Sequence, residues 1–272
     1  MKKIFLLDLD NTVIGKNYRP TTAVEELRVA IGRTVAAGHI VGVSSDSAIE
    51  TIKAYMDQWS HTGPIIAEKG ACAIAGESYG AEPAAILGDR SDVFDGAWKR
   101  IIDYSLAIGA LVSCHDVNNL SRQLPGMEAP SSASRAVLVN SLRRASLSFY
   151  ALEKSQGRWA RSAGLMRKLC GEFLARSGKQ ECAFDVDMND DYGICIIHHF
   201  GTMKAQAIPW VEAKYPGRQV IVVGDSMTDY HPKEGVVHCA VANASPEFKS
   251  KCAYTARGEV TSGVIEVLAA MS

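Results

Sequence analysis

The beginning of the chain alternates short apolar runs with segments of helical periodicity, and this order constrains the fold more than any other feature. Residues 40–43 and 65–67 are apolar runs of strand length, and residues 3–7 form another in which the lysine at position 3 contributes its apolar stem. The segments between them repeat apolar side chains three or four residues apart, as Leu27 and Ile31 illustrate. A strand–helix–strand–helix–strand order is typical of a parallel sheet with right-handed crossovers. The sequence therefore predicts an α/β fold with a doubly wound, Rossmann-like parallel sheet.

The middle of the chain has a looser pattern. Residues 136–144 and 165–174 have the spacing of helices, whereas residues 184–186 and 193–198 have the pattern of antiparallel strands around a polar turn. Helices and antiparallel strands mixed in this way are typical of an α+β lobe. We expect a separate lobe inserted into the sheet domain.

The α/β pattern resumes after this lobe, with an apolar strand over residues 219–223. The two α/β segments are predicted to form one core domain of residues 1–82 and 200–272. Residues 83–199 are predicted to form the inserted lobe, here called the cap.

Composition and charge exclude several classes of partner. The 272 residues carry a formal net charge of −1, so the chain has no basic field that would hold nucleic acid or an anionic membrane. No apolar run reaches the length needed to cross a bilayer. The seven cysteines are scattered without a Cys-x-x-Cys pair, which indicates a reducing compartment and argues against a zinc site. We expect a cytoplasmic protein that acts on a small molecule, in an oligomeric state that the sequence leaves open.

Carboxylates follow the apolar strands near both ends of the chain. Asp8 and Asp10 come after the first strand and, being two residues apart, point to the same side of it. Asp225 and Asp229 follow the strand over residues 219–223. Ligands bind beyond the carboxyl ends of strands in open parallel sheets, and Mg²⁺ prefers oxygen ligands. One interpretation is a solvated strand end with acidic turn residues; the other is a nucleophile and an acid that share a magnesium ion.

Four short motifs together resemble the signature of the haloacid dehalogenase-like (HAD) phosphohydrolases. Residues 8–12, Asp-Leu-Asp-Asn-Thr, resemble the Asp-x-Asp-x-Thr motif, and Ser45 at a strand end resembles the second motif. Lys204 resembles the third motif, and residues 224–229, Gly-Asp-Ser-Met-Thr-Asp, resemble the fourth. The turn Glu68-Lys69-Gly70 is similar to the Glu-Asn-Gly turn of subfamily IIB, which includes the Cof-type, sucrose-phosphate and mannosyl-3-phosphoglycerate phosphatases.

The resemblance implies a role for each motif residue. Asp8 would attack phosphorus and form an aspartyl phosphate, while Asp10 would protonate the leaving oxygen and later help to deprotonate water. Ser45 would donate a hydrogen bond to a phosphoryl oxygen, and Lys204 would neutralise charge on Asp8 and the transferring group. The implied ligands of the magnesium ion are Asp8, the main-chain carbonyl of Asp10, Asp225, and Asp229 directly or through water.

Substrate contacts are predicted both in the core and in the cap. Backbone amides near Leu9 and Asn11 could hold the phosphoryl oxygens. Further candidates are Ser44, Lys69, Gly70, Arg143, Asn189 and Asp190. For Lys69 the alternative is an exposed turn lysine, and for Arg143 it is an arginine that stabilises the dipole of the helix predicted over residues 136–144. Asp46 follows Ser45 where many relatives have glycine and then arginine, so a usual contact to an anion is missing.

The function implied by the resemblance is magnesium-dependent hydrolysis of a small phosphorylated sugar or sugar acid. The alternatives are a mannosyl-3-phosphoglycerate phosphatase in particular, a phosphomutase, which also forms an aspartyl phosphate, and a non-catalytic regulator that binds phosphosugars. The presence of both Asp8 and Asp10 favours an enzyme over a regulator. The resemblance also implies that residues 1–82 and 200–272 form the catalytic core and that the cap of residues 83–199 determines substrate specificity. A cap that closes over the site would exclude water and contact the non-reacting part of the substrate.

Overall fold

The chain folds into two compact units. A computed structural model describes residues 1–76, 84–85, 97–115, 118–177 and 184–272. The first unit consists of Met1–Gly88 with Met203–Ser272, and the second consists of Asp89–Thr202. The predicted start of the cap at Pro83 lies outside the described residues.

The described residues form the following strands and helices. The strands are β1 (Lys3–Leu7), β2 (Ile40–Ser44), β3 (Ile65–Ala67), β4 (Cys72–Ile74), β5 (Ala84–Ala85), β6 (Leu111–His115), β7 (Arg135–Asn140), β8 (Ser146–Ser155), β9 (Arg158–Arg161), β10 (Phe184–Asn189), β11 (Ile194–His199), β12 (Gln219–Gly224), β13 (Val237–Ala240) and β14 (Tyr254–Thr255). The α-helices are α1 (Val24–Ala36), α2 (Ile49–Gln58), α3 (Ala97–Ala107), α4 (Asn118–Gln123), α5 (Ala163–Ser177), α6 (Ile208–Lys214), α7 (Pro246–Lys249) and α8 (Val260–Met271). None of these described helices is both long and apolar enough to span a membrane.

The first unit is built on a sheet with the strand order β14-β13-β12-β1-β2-β3-β4-β5. The pairings from β14 to β3 are parallel, and β4 and β5 continue the sheet antiparallel. Leu7 at the end of β1 pairs with Val223 of β12 on one side and with Val43 of β2 on the other. The segments that follow these three strands therefore begin at the same edge of the sheet. The predicted doubly wound α/β fold is confirmed.

The apolar runs form strands because both faces of the sheet are buried. Ile4 and Leu6 pack with Val220, Val222 and residues of α6 in one hydrophobic cluster, whereas Phe5 and Leu7, which alternate with them, are also fully buried. A parallel strand that is covered on both faces has no polar side to present, which is why β1 is a continuous apolar run.

The second unit contains a sheet with the order β10-β11-β8-β7-β6. Strand β9 pairs with residues 152–155 of β8, beyond the residues of β8 that pair with β11. Helices α3 and α5 cover one face of this sheet, where Val137, Phe149 and Ile197 pack against Leu169 and Phe173. Strands β10 and β11 form the predicted hairpin, and Asn189 pairs with Ile194 where it turns. The predicted α+β character of this segment is therefore confirmed.

One predicted helix in the second unit is wrong. Residues 136–144 form most of β7 and the turn that follows it, instead of a helix. Ala136 to Asn140 are five consecutive buried residues, and a strand buried on both faces cannot be distinguished from a buried helix by periodicity. Arg143 therefore lies in a turn, and the proposed interaction with a helix dipole does not exist.

Candidate active site

Three neighbouring strands of the first unit end in the residues that the motifs singled out. Asp8 follows β1, Ser45 follows β2 and Asp225 follows β12, and these three strands are adjacent in the sheet. The sheet pairing extends one residue further at two of them, because the amide of Asp8 donates to the carbonyl of Val223 at 2.8 Å and the amide of Ser45 donates to the carbonyl of Ile66 at 2.9 Å. The backbone under the candidate nucleophile is therefore fixed by the sheet.

Lys204 connects two of the carboxylates. Its Nζ donates to Asp8 Oδ1 at 2.5 Å and to Asp229 Oδ1 at 2.8 Å. All three residues are buried, with 8% of Lys204, 6% of Asp8 and 4% of Asp229 exposed. Charge-assisted hydrogen bonds of this kind are short and strong, so they hold the Asp8 carboxylate in one orientation.

Asp229 is held at both of its oxygens. Oδ2 accepts hydrogen bonds from the amides of Asp225 at 3.2 Å and Ser226 at 3.3 Å, while Oδ1 faces Lys204. A Cβ atom at Gly224 would lie 2.2 Å from Asp229 Oδ2, so only glycine leaves room for this carboxylate against the end of β12. Asp229 is thus fixed by protein donors.

Asp8, Asp225 and Asp229, here called the carboxylate cluster, each place an oxygen within 4.8 Å of those of the other two. Burial and the neighbouring Asp229 together raise the pKa of Asp225 to about 6, against the opposing effect of Lys204. Burial likewise raises the pKa of Asp8, against the opposing effect of Lys204. When all are ionised, three carboxylates face one ammonium, so the cluster and Lys204 together carry a net charge of two negative. The donor set and its excess charge fit a divalent cation such as Mg²⁺.

Lys204 remains a cation in this environment. Burial acts to lower the pKa of Lys204, but Asp229 and Asp8 together raise it well above its ordinary value, with a further contribution from Asp46. A permanently charged ammonium beside Asp8 can neutralise charge that develops on a bound anion. The contribution from Asp46 indicates that this carboxylate also lies within electrostatic range of the lysine.

The loop after β1 is closed by its own hydrogen bonds. Asn11 has a left-handed backbone with φ of 58°, and its amide donates to the carbonyl of Ile14 at 2.8 Å. Because this amide is engaged in the loop, the prediction that it would hold a phosphoryl oxygen does not fit the structure. Leu9 has a buried side chain, and Asp10 is exposed. Asn243, which the motif reasoning did not single out, donates from Nδ2 to the Asn11 carbonyl at 2.7 Å.

The last residue of β2 and the residue after it are buried serines. Ser44 and Ser45 are 5% and 1% exposed. Ser45 Oγ accepts a hydrogen bond from the amide of Ser47 at 3.1 Å, so its own hydrogen remains to donate. The carbonyl of Ser45 accepts from the amide of Lys69 at 3.2 Å, which ties the turn Glu68–Gly70 to this segment.

The candidate substrate contacts of the cap lie in the second unit, and each has a local partner there. Arg143 donates to Ser146 Oγ at 2.8 Å. Asn189 Oδ1 accepts from the amide of Tyr192 at 3.3 Å, and Asp190 forms an ion pair with Arg167 of α5. Asn189 and Asp190 therefore stabilise the hairpin turn.

A buried polar face in the second unit was missed from the sequence. At one end of the sheet face opposite to the one covered by α3 and α5 lie Asn140, Ser146, Ser148 and His198, each 5% exposed or less. The rest of that face is apolar and includes Ala136, Leu138 and Leu152. His198 pairs across the strands with Ser146, and its Nε2 lies 3.5 Å from Asp187 Oδ2. The alternation of serine with Leu147 and Phe149 in β8 is the signal that could have revealed this face.

Solved structures superpose on the chain along its whole length. A haloacid dehalogenase-like hydrolase from Bacteroides thetaiotaomicron matches with a TM-score of 0.65 at 15% identity, covering 100% of both chains. The fold is that of the haloacid dehalogenase-like hydrolases. A second protein of that organism is described among the phosphatases of the haloalkanoate (HAD) enzyme superfamily. It matches the present chain with a TM-score of 0.60 at 15% identity, covering 99% of this chain and 95% of that one.

A further structure agrees with this assignment of the fold. A protein from Thermotoga maritima matches with a TM-score of 0.65 at 17% identity, covering 100% of this chain and 98% of that one. No family model and no curated protein matches the sequence. At such identities the likeness describes the HAD-like fold, and the chemistry must be argued from the residues themselves.

Proposed function

We propose that the protein is a magnesium-dependent phosphomonoesterase that acts on a small phosphorylated sugar or sugar acid through an aspartyl phosphate. The observation that carries this proposal is the buried contact between Lys204 Nζ and Asp8 Oδ1 at 2.5 Å, next to the carboxylate cluster at the carboxyl edge of a parallel sheet. A phosphatase among the proteins of the same fold supports it. Phosphate-monoester hydrolysis is extremely slow without a catalyst, and it requires charge to be neutralised at several points.

The proposed reaction has two displacements at phosphorus. A carboxylate oxygen of Asp8 forms a bond to phosphorus as the ester oxygen leaves, and Asp10 gives the leaving oxygen its proton. Water then attacks phosphorus, Asp10 takes a proton from it, and the bond to Asp8 breaks with release of phosphate. Lys204 neutralises charge on Asp8 and on the phosphoryl oxygens, and the hydroxyl of Ser45 donates to one of them.

Magnesium would be held by the Asp8 and Asp225 carboxylates and the main-chain carbonyl of Asp10. We assign Asp229 a role through water, because its oxygens accept hydrogen bonds from Lys204 and from two amides. A bound Mg²⁺ ion supplies positive charge to the phosphoryl oxygens.

A phosphate-release assay tests the proposal. The chain is incubated with a panel of phosphorylated sugars and sugar acids, including mannosyl-3-phosphoglycerate, with Mg²⁺ or with EDTA. We expect release of inorganic phosphate that requires Mg²⁺ and needs no second sugar as acceptor. Activity that depends on such an acceptor would identify a mutase instead, and binding without turnover across the panel would identify a regulator.

The Asp10→Asn variant is expected to be slow but to keep its affinity for Mg²⁺. Loss of the general acid lowers kcat by about 10²–10⁴-fold, whereas the main-chain carbonyl proposed as ligand survives the substitution. Calorimetric titration with Mg²⁺ provides the measurement, with Asp225→Ala as the reference that loses a ligand. If both variants lose affinity equally, the Asp10 side chain is itself a ligand and the proposed role is wrong.

We propose that the second unit recognises the leaving group, as the sequence predicted for the cap. Asn189 and Asp190 hold the hairpin turn. Arg143 also donates to Ser146, but its buried Nε has no hydrogen-bond partner in the described part of the chain, so we keep Arg143 as the candidate. We expect Arg143→Ala to lower kcat/KM on the best sugar phosphate by about 10- to 100-fold, as expected for a lost hydrogen bond to a charged donor. Activity on p-nitrophenyl phosphate, which lacks the sugar, should change much less.

The matched control for this prediction is Arg158→Ala. Arg158 is an exposed arginine of the same unit whose guanidinium donates to the Gly126 carbonyl at 3.2 Å. It should leave both substrates unaffected. Equal losses on sugar phosphate and generic ester in Arg143→Ala would show that Arg143 does not recognise the leaving group.

A further inference from the structure

The turn from Glu68 to Gly70 has an unusual backbone. Three consecutive residues have positive φ angles, of 50° at Glu68, 62° at Lys69 and 95° at Gly70. Residues other than glycine rarely adopt this conformation, and it persists only where surrounding contacts enforce it. Contacts with other segments of the chain must therefore stabilise this turn.

Contacts to the segment after β2 hold one side of the turn. The amide of Glu68 donates to the carbonyl of Ser47 at 3.1 Å, and the amide of Lys69 donates to the carbonyl of Ser45 at 3.2 Å. The Glu68 side chain is completely buried. The turn is thus fixed relative to the serine proposed to bind a phosphoryl oxygen.

The other side of the turn lies directly against the backbone that carries Lys204. A Cβ atom at Gly70 would lie 2.5 Å from the carbonyl oxygen of Met203 and 2.9 Å from Cα of Lys204. Both are closer than non-bonded atoms approach, and both partners are main-chain atoms that cannot rotate away. Any side chain at position 70 would have to push the Lys204 backbone.

We infer that Gly70 is a positioning residue that sets the location of the Lys204 ammonium against Asp8. The inference rests on the proposed function, because it assumes that Lys204 acts in catalysis. The turn acts as a spacer of fixed thickness between the Ser45 segment and the start of the 3₁₀ turn Lys204–Ala207. This role differs from the substrate contact that the sequence predicted for Gly70.

The test compares Gly70→Ala with Gly235→Ala. Gly235 lies in the same unit with a φ of 87°, but a Cβ atom there would meet no heavy atom within 4 Å. Both variants introduce a side chain at a left-handed position, and only Gly70→Ala displaces Lys204. We expect Gly70→Ala to lower kcat about 100-fold, as a misplacement of about 1 Å can, with KM changed about threefold at most, and Gly235→Ala to leave both near wild type.

A second readout follows the transition state directly. Vanadate mimics the five-coordinate phosphorus, whereas inorganic phosphate resembles the ground state. The Gly70→Ala variant should lose affinity for vanadate in proportion to its loss of kcat/KM, with a much smaller loss for phosphate. Equal losses for both anions, a loss confined to KM, or equal effects of Gly70→Ala and Gly235→Ala would overturn the inference.

A stability cycle separates this inference from the proposed function. If Gly70→Ala moves Lys204 away from its carboxylates, its effect on the free energy of unfolding should not add to that of Lys204→Met, whereas that of Gly235→Ala should add. This coupling can be measured even if the wild type hydrolyses no ester. Absence of hydrolysis would refute only the proposed function, whereas additive effects of Gly70→Ala and Lys204→Met would refute the inferred positioning of Lys204 by Gly70. Gly70→Asn repeats the test with a side chain that tolerates a positive φ better than alanine does. If both Gly70 variants fail to fold while Gly235→Ala folds, the role of Gly70 is purely structural and the inference is refuted.

Discussion

Replacing Asp8 with asparagine is expected to abolish phosphate release while the protein stays folded. Asparagine keeps the shape of the side chain, but its amide is a very poor nucleophile and a weaker ligand for magnesium. Asp229, the other partner of Lys204, should not substitute for Asp8, because it is held at both oxygens. The measurement is phosphate release from the best substrate of the panel, with Mg²⁺ present.

Unfolding measurements show whether the lost activity is chemical. Burial raises the pKa of Asp8, so its ionised form is disfavoured in the folded chain, and a neutral amide should be tolerated there. The melting temperature of Asp8→Asn should stay within about 4 °C of wild type, a shift that corresponds to about 1 kcal/mol in a chain of this size. Asp57→Asn, at an exposed position of α2, is the control for the substitution itself. Retention of about a tenth of the wild-type activity by Asp8→Asn would contradict its role as nucleophile.

The residues at the carboxyl edge of the sheet could be predicted because the local sequence pattern shows where each strand ends. Strands β1, β2 and β12 are buried on both faces, so each is an apolar run that stops where polar residues begin. Parallel pairing then brings the ends of these strands together, and the carboxylates after β1 and β12 meet without further information. This is why the cluster around Asp8 and Asp225 follows from pattern alone.

Contacts between distant parts of the chain could not be predicted in this way. The hydrogen bond from Asn243 to Asn11 joins residues 232 positions apart, and it depends on how two loops fold back over the sheet edge. The close approach of Gly70 to Lys204 is similar, since a glycine in the sequence does not reveal which backbone it lies against. Contacts of this kind decide which backbone amides are already hydrogen-bonded within the protein. The Asn11 amide is one of these, since it donates to Ile14 and does not fit the predicted role in binding phosphate.

The second unit was predicted less well for a related reason. Strand β7 is buried on both faces, so the pattern of its apolar residues could not be distinguished from that of a buried helix. As a result, Arg143 was predicted at a helix end, whereas it lies in a turn. Asp190 was predicted from its polarity alone, and its ion pair with Arg167 depends on the tertiary placement of α5. Polar residues in turns give no sign of whether they serve a ligand or the fold.

Replacing Lys204 with methionine is expected to abolish activity and to destabilise the protein strongly in the absence of metal. The substitution removes the only ammonium that contacts Asp8 and Asp229 in the described residues. Breaking a buried ion pair by deleting one partner costs about 3–5 kcal/mol, because an uncompensated charge is left behind. The measurement is urea-induced unfolding of both proteins in EDTA. Lys233→Met, which removes an exposed ion pair with Glu212, should cost at most about 1 kcal/mol.

Two further unfolding experiments, one on pH and one on Mg²⁺, test whether the carboxylate cluster causes this loss of stability. Burial raises the pKa of Asp225 to about 6, above its ordinary value of 3.8, so the folded chain favours the protonated carboxyl. The stability gained from protonation is fully present below the ordinary pKa and disappears as the pH rises through about 6. The destabilisation by Lys204→Met should therefore be smaller near pH 5 than near pH 8, and Mg²⁺ should restore part of it at about pH 8 by supplying the missing positive charge. An equal cost for Lys204→Met and Lys233→Met, or no effect of Mg²⁺ on either, would show that the cluster neither carries excess charge nor binds the cation.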